Sequence, residues 1–355
     1  MPFTETRALL DAAISDKAFP AAAIDVGRAH GSLWAANFGR LTFEPDAAPV
    51  DAHTNFDLAS LTKVIATTSL AMRAVGAGHL HLDTRLGEVL PGWQDARHQS
   101  IAVRHLLDHS SGLPGHVRLW DQWTTRSDIA AAILDTPLEQ PPGTRSVYSD
   151  LGFITLGFLL EAVNGETLDA QFAAFADAAG FSLQFRPPVE LHEQTAPTEV
   201  DAWRGRLVHG EVHDENAHVL GGVAGHAGLF GTARDVAAFA RLVLGTFTGR
   251  TILGTPALMK TFATPTGVPG SSRALGWDTM RPTSSCGVLL SPTAIGHTGF
   301  TGTSLWIDWE RDLYVVLLTN RVHPSRANEA LVRLRPLVHD AVVRDVARAS
   351  HRREM

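Results

Sequence analysis

Ser60 and Lys63 stand three residues apart at the head of an apolar run, Val64, Ile65, Leu70, Ala71, Met72 and Val75. Three residues is about one helical turn, so the hydroxyl and the amine share one face. Ser60 falls at or near the expected helix N-terminus, where free backbone N–H groups and the positive dipole end favour a developing negative charge. A serine hydroxyl is a poor nucleophile until a base within hydrogen-bond reach takes its proton. Lys63 can do so only when neutral, against an ordinary pKa of roughly 10.4 that burial and the helix N-terminus both act to lower. Tyr148, in Tyr148-Ser149-Asp150 after the break at Pro141-Pro142-Gly143, is the other candidate, because a phenolate forms more easily beside an ammonium. The residues leave the choice between them open. A third polar stretch, His297-Thr298-Gly299, continues through Phe300-Thr301-Gly302-Thr303-Ser304-Leu305-Trp306.

The elements that must position these groups are legible as hydrophobic periods. Residues 3–17 carry Leu9, Leu10, Ala13 and Ile14 at helical spacing, and residues 19–25 and 32–38 read as two strands around the turn Arg28-Ala29-His30-Gly31. A mainly helical half follows. A segment opened by His81-Leu82-Asp83-Thr84 ends at Pro91, residues 100–113 hold a short helix stopped by Ser110-Ser111-Gly112, and residues 127–134 hold another. Residues 151–163 and 168–179 are strongly apolar helices, residues 185–201 read as irregular loop, and residues 232–244 as a helix. The last third returns to strands at 276–280, 288–290, 294–298, 303–308 and 314–319, and a helix over about 327–347 closes the chain. Strands at both chain ends predict one sheet built from the two termini with a helical lobe inserted.

The order of the three motifs resembles the serine β-lactamase and penicillin-binding-protein superfamily, in its class C β-lactamase-related branch. Framework stretches join the resemblance: Val103-Arg104-His105-Leu106-Leu107, Ser110-Ser111-Gly112-Leu113 and Leu275-Gly276-Trp277. It runs from about residue 19 to residue 323. It implies an α/β (α+β) fold, β-lactamase/transpeptidase-like, with an antiparallel sheet from both chain ends flanked by helices. A single catalytic domain over 1–355 would divide into an α/β lobe, about 1–60 and 220–355, and a helical lobe, about 61–219. The resemblance assigns Ser60 as nucleophile, Lys63 and Tyr148 as the general-base pair, and the backbone N–H groups of Ser60 and Phe300 as the oxyanion hole. His297, Thr298, Gly299 and Asp150 would meet substrate. The stretch from Gly210 to His218 resembles a segment in relatives that include muramyl-peptide amidases, where Asp214 or Asn216 would contact substrate.

Two positions depart from the family pattern. Asp150 stands where Asn is usual, and an ionised carboxylate there would hold Lys63 charged and favour Tyr148 as the base. His297 stands where Lys is usual, and histidine is largely neutral near pH 7. The motif charges are therefore about two units less positive than in the familiar site. β-Lactam and D-Ala-D-Ala recognition uses a substrate carboxylate, so the expectation is an ester or amide hydrolase without a strong carboxylate requirement. Arg321 is expected to be a surface or structural charge, and His297 is expected to make activity vary between about pH 5 and 8. D-Ala-D-Ala carboxypeptidase or β-lactamase, muramyl-peptide amidase, and a silent binding or scaffold relative are the alternatives.

Composition narrows the remaining classes. At 355 residues and 45% hydrophobic, the chain can bury a large core, and its formal net charge of −7 is spread without a basic block, which excludes nucleic acid as an expected partner. Cys286 is the only cysteine, so no internal disulfide can form. Spacing around His213, His218 and His226 lacks the H-E-x-x-H order, so no metal or other cofactor is expected. The first 27 residues lack a basic region followed by an apolar core, and no run of 18 or more apolar residues occurs. The expectation is a cytoplasmic protein, without a membrane span, acting on a small ester, amide or peptide. The oligomeric state is left open.

Overall fold

The computed structural model describes residues 3–90, 92–93 and 98–354. Pro91, expected to end the segment opened at His81, lies outside them. The chain opens with helix α1 (Thr4–Ser15) and the hairpin β1 (Ala21–Arg28) and β2 (Gly31–Gly39). It returns near its end with β3 (Asp278–Thr279), β4 (Ile295–Thr298), β5 (Ser304–Asp308) and β6 (Leu313–Thr319). These form one six-stranded sheet in the order β2-β1-β6-β5-β4-β3, antiparallel at every pairing.

The neighbouring interior strands β1 and β6 are buried on both faces, as their near-continuous apolar runs demand. Leu313, Val315 and Leu317 pack with Ala22, Ile24 and Val26 against α1 and the closing helix, Ala330–Glu354. Tyr314, Val316 and Leu318 face the opposite side with Ala21 and Ala23. There they meet Val236, Phe239 and Val243 of the helix Ala233–Thr248 and, beyond it, the larger apolar core of the helical region. Burying a Leu, Ile or Phe side chain contributes about 1.5–3 kcal/mol each, so this two-sided core fixes the strand register. That register sets His297 opposite Leu305 and Gly296 opposite Trp306.

The expected strand at 288–290 does not form. Val288 and Leu289 instead donate their N–H groups to Asp340 of the closing helix, and Leu290 packs on the core. The stretch at 276–280 contributes only Asp278–Thr279, and Val189–Gln194 is a short 3-10 helix within the expected loop. No single helix among the described residues is long and apolar enough to cross a membrane.

Candidate active site

Ser60 follows a short strand, Phe56–Asp57, that pairs with Leu229–Gly231. The turn between strand and helix is tight. Ala59 adopts φ 47°, a left-handed conformation that costs a residue with a Cβ roughly 1 kcal/mol, and its N–H donates to buried Asp57 at 2.8 Å. Asp57 also accepts from the N–H of His213 at 2.7 Å, and its backbone carbonyl accepts from Thr301 Oγ1 at 2.7 Å. One carboxylate thus ties the serine turn to the His213 segment, and its carbonyl ties it to the turn after His297-Thr298-Gly299. Gly299 permits that approach, since a Cβ there would meet Leu58 O at 2.6 Å and Thr303 Oγ1 at 2.1 Å.

Lys63 begins a π-helical turn, Lys63–Thr68, that runs into the helix Ser69–Gly76. Thr67 bonds sideways to Gly225 O at 2.6 Å and Ser69 Oγ back to Val64 O at 3.1 Å, which accommodates the wider turn. Lys63 is fully buried, and its ammonium donates to Ser60 Oγ at 3.1 Å, Asp150 Oδ1 at 2.7 Å and His226 O at 3.1 Å. All three N–H bonds are used, so the lysine is protonated. Burial acts to lower its pKa, but Asp150 and then Tyr148 outweigh burial and hold it above the ordinary lysine value. Gly225 makes the His226 contact possible, because a Cβ there would strike Phe153 O at 2.0 Å.

Asp150 is the first residue of a 15-residue helix, Asp150–Asn164, capped by Ser149, whose Oγ accepts from Gly152 N–H at 3.1 Å. A carboxylate is favoured there by the helix dipole. Burial raises its pKa, yet Lys63 chiefly, helped by His116, holds it well below the usual carboxylate range. Tyr148 lies over Lys63, whose Nζ is 4.8 Å from the ring centroid, and its hydroxyl reaches Lys63 and Ser60. Burial lifts the phenol above its ordinary pKa despite Lys63. Buried His109 backs the ring at 4.6 Å and accepts from Ser149 N–H at 3.0 Å, a packing role. His105 caps a helix start by accepting from Ala102 N–H at 3.1 Å.

His297 is buried, and its Nδ1 lies 2.8 Å from Thr298 O. A carbonyl can only accept, so Nδ1 carries the proton and Nε2 presents a lone pair. Burial first, then Arg273 and Lys63, push His297 well below the ordinary histidine value. It therefore stays neutral across the physiological range, which corrects the expectation that it drives a pH dependence between about 5 and 8.

Two cavities open on either side of Ser60, Tyr148 and Phe300. One, of about 330 Å³, is lined by His297, Thr298 and Gly299 with Arg273, Arg321 and Arg335. The other, of about 440 Å³, is lined by His116, Asp150, Asp214, Glu215 and Arg326. Phe300 and Ser60 line both cavities, and neither backbone N–H donates to an acceptor among the described residues. The chain matches the model of the Beta-lactamase family over residues 6–339.

It belongs to the beta-lactamase family. This is a family of serine hydrolases. A relative in Escherichia coli (strain K12) named "Putative D-alanyl-D-alanine carboxypeptidase" is 33% identical over 319 residues, 79% of this chain and 72% of the relative. Among solved structures, the fold is shared with "EstCE1, a hydrolase with promiscuous acyltransferase activity", at 21% identity and TM-score 0.75 over 96% of this chain and 97% of that one. It is shared equally with a class C beta lactamase from Rhodobacter sphaeroides, at 20% identity and TM-score 0.75 over 96% and 99%.

Within this beta-lactamase-family site, Ser60, Tyr148, Asp150, His297, Thr298, Gly299, Phe300 and Asp214 each line one or other cavity, and buried Lys63 reaches Ser60 Oγ from beneath. Asn216 does not join them. It is buried, accepts from Trp120 N–H at 3.2 Å and donates to Val117 O at 2.9 Å, so its amide anchors the loop before Tyr148 instead of meeting substrate. Asp214 caps the helix Glu215–Val219 and pairs with His226 at 2.7 Å. The neighbouring histidines each engage a separate carboxylate, His213 with Glu199 at 2.9 Å and His218 with Glu211 at 3.4 Å.

Sequence reasoning missed Arg273 and Arg335. Arg321, expected as a surface or structural charge, is buried and donates to Phe300 O at 2.9 Å and Asn328 O at 2.8 Å, holding the Phe300 turn. Arg273 stands 5.2 Å from the Tyr148 ring centroid, and its only carboxylate among the described residues, Asp278, is 3.9 Å away. Arg335 is 7% exposed; among the described residues its Nε has no partner and its one acceptor is Thr303 O at 3.4 Å. Burial lowers its pKa to about 10 with help from Arg321. No local motif marks these positions; only the fold brings them beside Ser60.

Proposed function

We propose that the protein hydrolyses an ester or amide bond through an acyl-enzyme on Ser60, and that the group expelled carries a carboxylate. Lys63 and Tyr148 form the base pair: Lys63 has no free lone pair while it is bonded to Asp150, so Tyr148, once it has lost its own proton, takes that of Ser60 as the phenolate. The N–H groups of Ser60 and Phe300 would receive the oxyanion, and water would release the acyl group.

The observation that carries the carboxylate is the cationic lining beside His297. Arg273, Arg321 and Arg335 face that cavity against one carboxylate, Asp278. The positive charge absent from position 297 is supplied from three other elements, which reverses the reasoning that a carboxylate-free substrate is preferred. Trp306, Arg335 and His297 line the same cavity, and Trp306 Nε1, Arg335 Nε and His297 Nε2 are buried and without a partner among the described residues. A cationic lining of this kind suits an amino-acid leaving group, which brings a carboxylate. The D-alanyl-D-alanine carboxypeptidase name borne by the relatives fits that chemistry.

The test is a panel of acyl-D-alanyl-D-alanine, its C-terminal amide, p-nitrophenyl esters, muramyl peptides and a chromogenic cephalosporin, assayed with wild type and Ser60→Ala. Cleavage of the free acid well above the C-terminal amide, lost in Ser60→Ala, is expected. Equal cleavage of acid and amide would sink the carboxylate assignment, and turnover surviving in Ser60→Ala would sink the acyl-enzyme.

A further inference from the structure

The carboxylate of Asp150 is shared. Its Oδ1 accepts from Lys63 at 2.7 Å, and its Oδ2 lies 3.5 Å from Nδ1 of His116, a half-exposed side chain on the wall of the second cavity. We propose that His116 is a positioning residue that acts through Asp150, its proton deciding how fully that carboxylate cancels the charge of Lys63. The inference rests on the reading of Ser60 as nucleophile.

Lys63, Asp150 and Tyr148 together are neutral when the ammonium, carboxylate and phenol are in their resting forms. Freeing a base from this set, whether Tyr148 phenolate or neutral Lys63, means losing one proton from a neutral cluster beside a carboxylate. That loss is harder than in a site with a neutral side chain at position 150, where the cluster would begin with one positive charge. A proton on His116 restores that charge. It sits against the far oxygen of Asp150, draws the carboxylate away from Lys63, and makes ionisation of either candidate base easier.

The groups facing His116 favour that proton. Asp150 approaches from the start of its helix, and Asp214 and Glu215 from the start of the Glu215–Val219 helix; together they raise the His116 pKa, the contact with Asp150 most and against the opposing effect of burial. Across the same cavity, Arg326 is occupied by Glu199 at 2.6 Å and Glu215 at 2.7 Å, and His213 by Glu199 at 2.9 Å. His116 therefore keeps its proton to a higher pH than an ordinary histidine.

The rate of Ser60 labelling by a fluorophosphonate, followed by mass from about pH 5.5 to 9.5, reads this without knowledge of the substrate. In wild type the rate rises with pH as the base ionises. In His116→Gln the rising limb moves up by about one pH unit, so labelling at pH 7 falls about tenfold and recovers at high pH. In His116→Lys, which keeps a permanent charge, the limb stays within about half a unit of wild type. On an Asp150→Asn background His116→Gln has no further effect, because the group through which it acts is gone. A uniform loss at every pH in His116→Gln, without rescue by lysine, would mean a packing role and overturn the inference. Wild type that takes no label on Ser60 sinks the nucleophile and this inference with it; a labelled Ser60 with an unmoved limb sinks the role of His116 alone.

Discussion

Asp150→Asn measures what the buried ion pair contributes. The pair is 2.7 Å long, with Lys63 fully buried and the Asp150 side chain 16% exposed. At an effective dielectric of about 20, charges at that distance attract by about 6 kcal/mol, against which both pay desolvation. Asparagine keeps an acceptor oxygen for the Lys63 ammonium, which retains part of the bond. Removing one partner of a buried pair typically costs about 3–5 kcal/mol, and the retained acceptor places this variant near 3. For a chain of this size that is a fall in Tm of about 4 °C.

The pH dependence separates this cause from a packing defect. Asp150 has a depressed pKa in the folded protein, so its contribution is present above the unfolded value of about 3.9 and is lost as the pH falls through the depressed value. Lys63 has a raised pKa, so its contribution is present below about 10.4 and is lost as the pH rises through the raised value. Wild-type stability from the pair is therefore flat from about pH 5 to 10. In Asp150→Asn the chief influence raising Lys63 is gone and burial lowers it. The variant then carries a buried cation at low pH and sheds it as the pH rises, so the gap in Tm to wild type narrows between about pH 7 and 9.5. Calorimetry on both proteins across that range is the assay. A gap that does not change with pH, or no gap at all, would refute a charged Lys63 held by Asp150.

Three further outcomes are expected. Arg335→Met removes a buried cation without a carboxylate partner, so calorimetry should show stability unchanged or raised, while KM for a free-acid substrate rises at least about tenfold. Phe300→Pro deletes the backbone N–H of that residue and should cut kcat by about 10²–10³-fold with a smaller effect on KM, measured under saturating substrate. His297→Gln should lower the rate but leave the shape of the profile between about pH 5 and 8 unchanged, since the imidazole stays neutral there; loss of an ionisation from that profile would contradict its assigned tautomer and burial.

The pairing of Ser60 with Lys63 was legible because it is local. Ser60 and Lys63 are one turn apart, and the apolar run after them could only be a helix against a core. The sheet was legible because β1 and β6 are apolar on both faces, which a strand at an edge would not be. The missed strand at 288–290 shows the limit of that reasoning: Val288-Leu289-Leu290 has strand composition, but the Asp340 carboxylate, some fifty residues away, takes its N–H groups and leaves nothing for a ladder.

Charge was the least legible quantity. Counting the three motifs alone gave a site too poor in cations for a carboxylate, because the count was confined to residues adjacent in sequence to the nucleophile, the tyrosine and the histidine. The fold adds Arg273 from the loop before β3, Arg321 from the end of β6 and Arg335 from the closing helix. It also splits the site by sign. With histidines counted as neutral, one cavity beside Ser60 has three arginines against Asp278, and the other has Asp150, Asp214 and Glu215 against Arg326. On the proposed reading, a substrate bound across Ser60 meets opposite fields at its two ends, and these fields orient it. His297 can then be neutral without loss: in a cavity already rich in cations, another ammonium would only repel its neighbours.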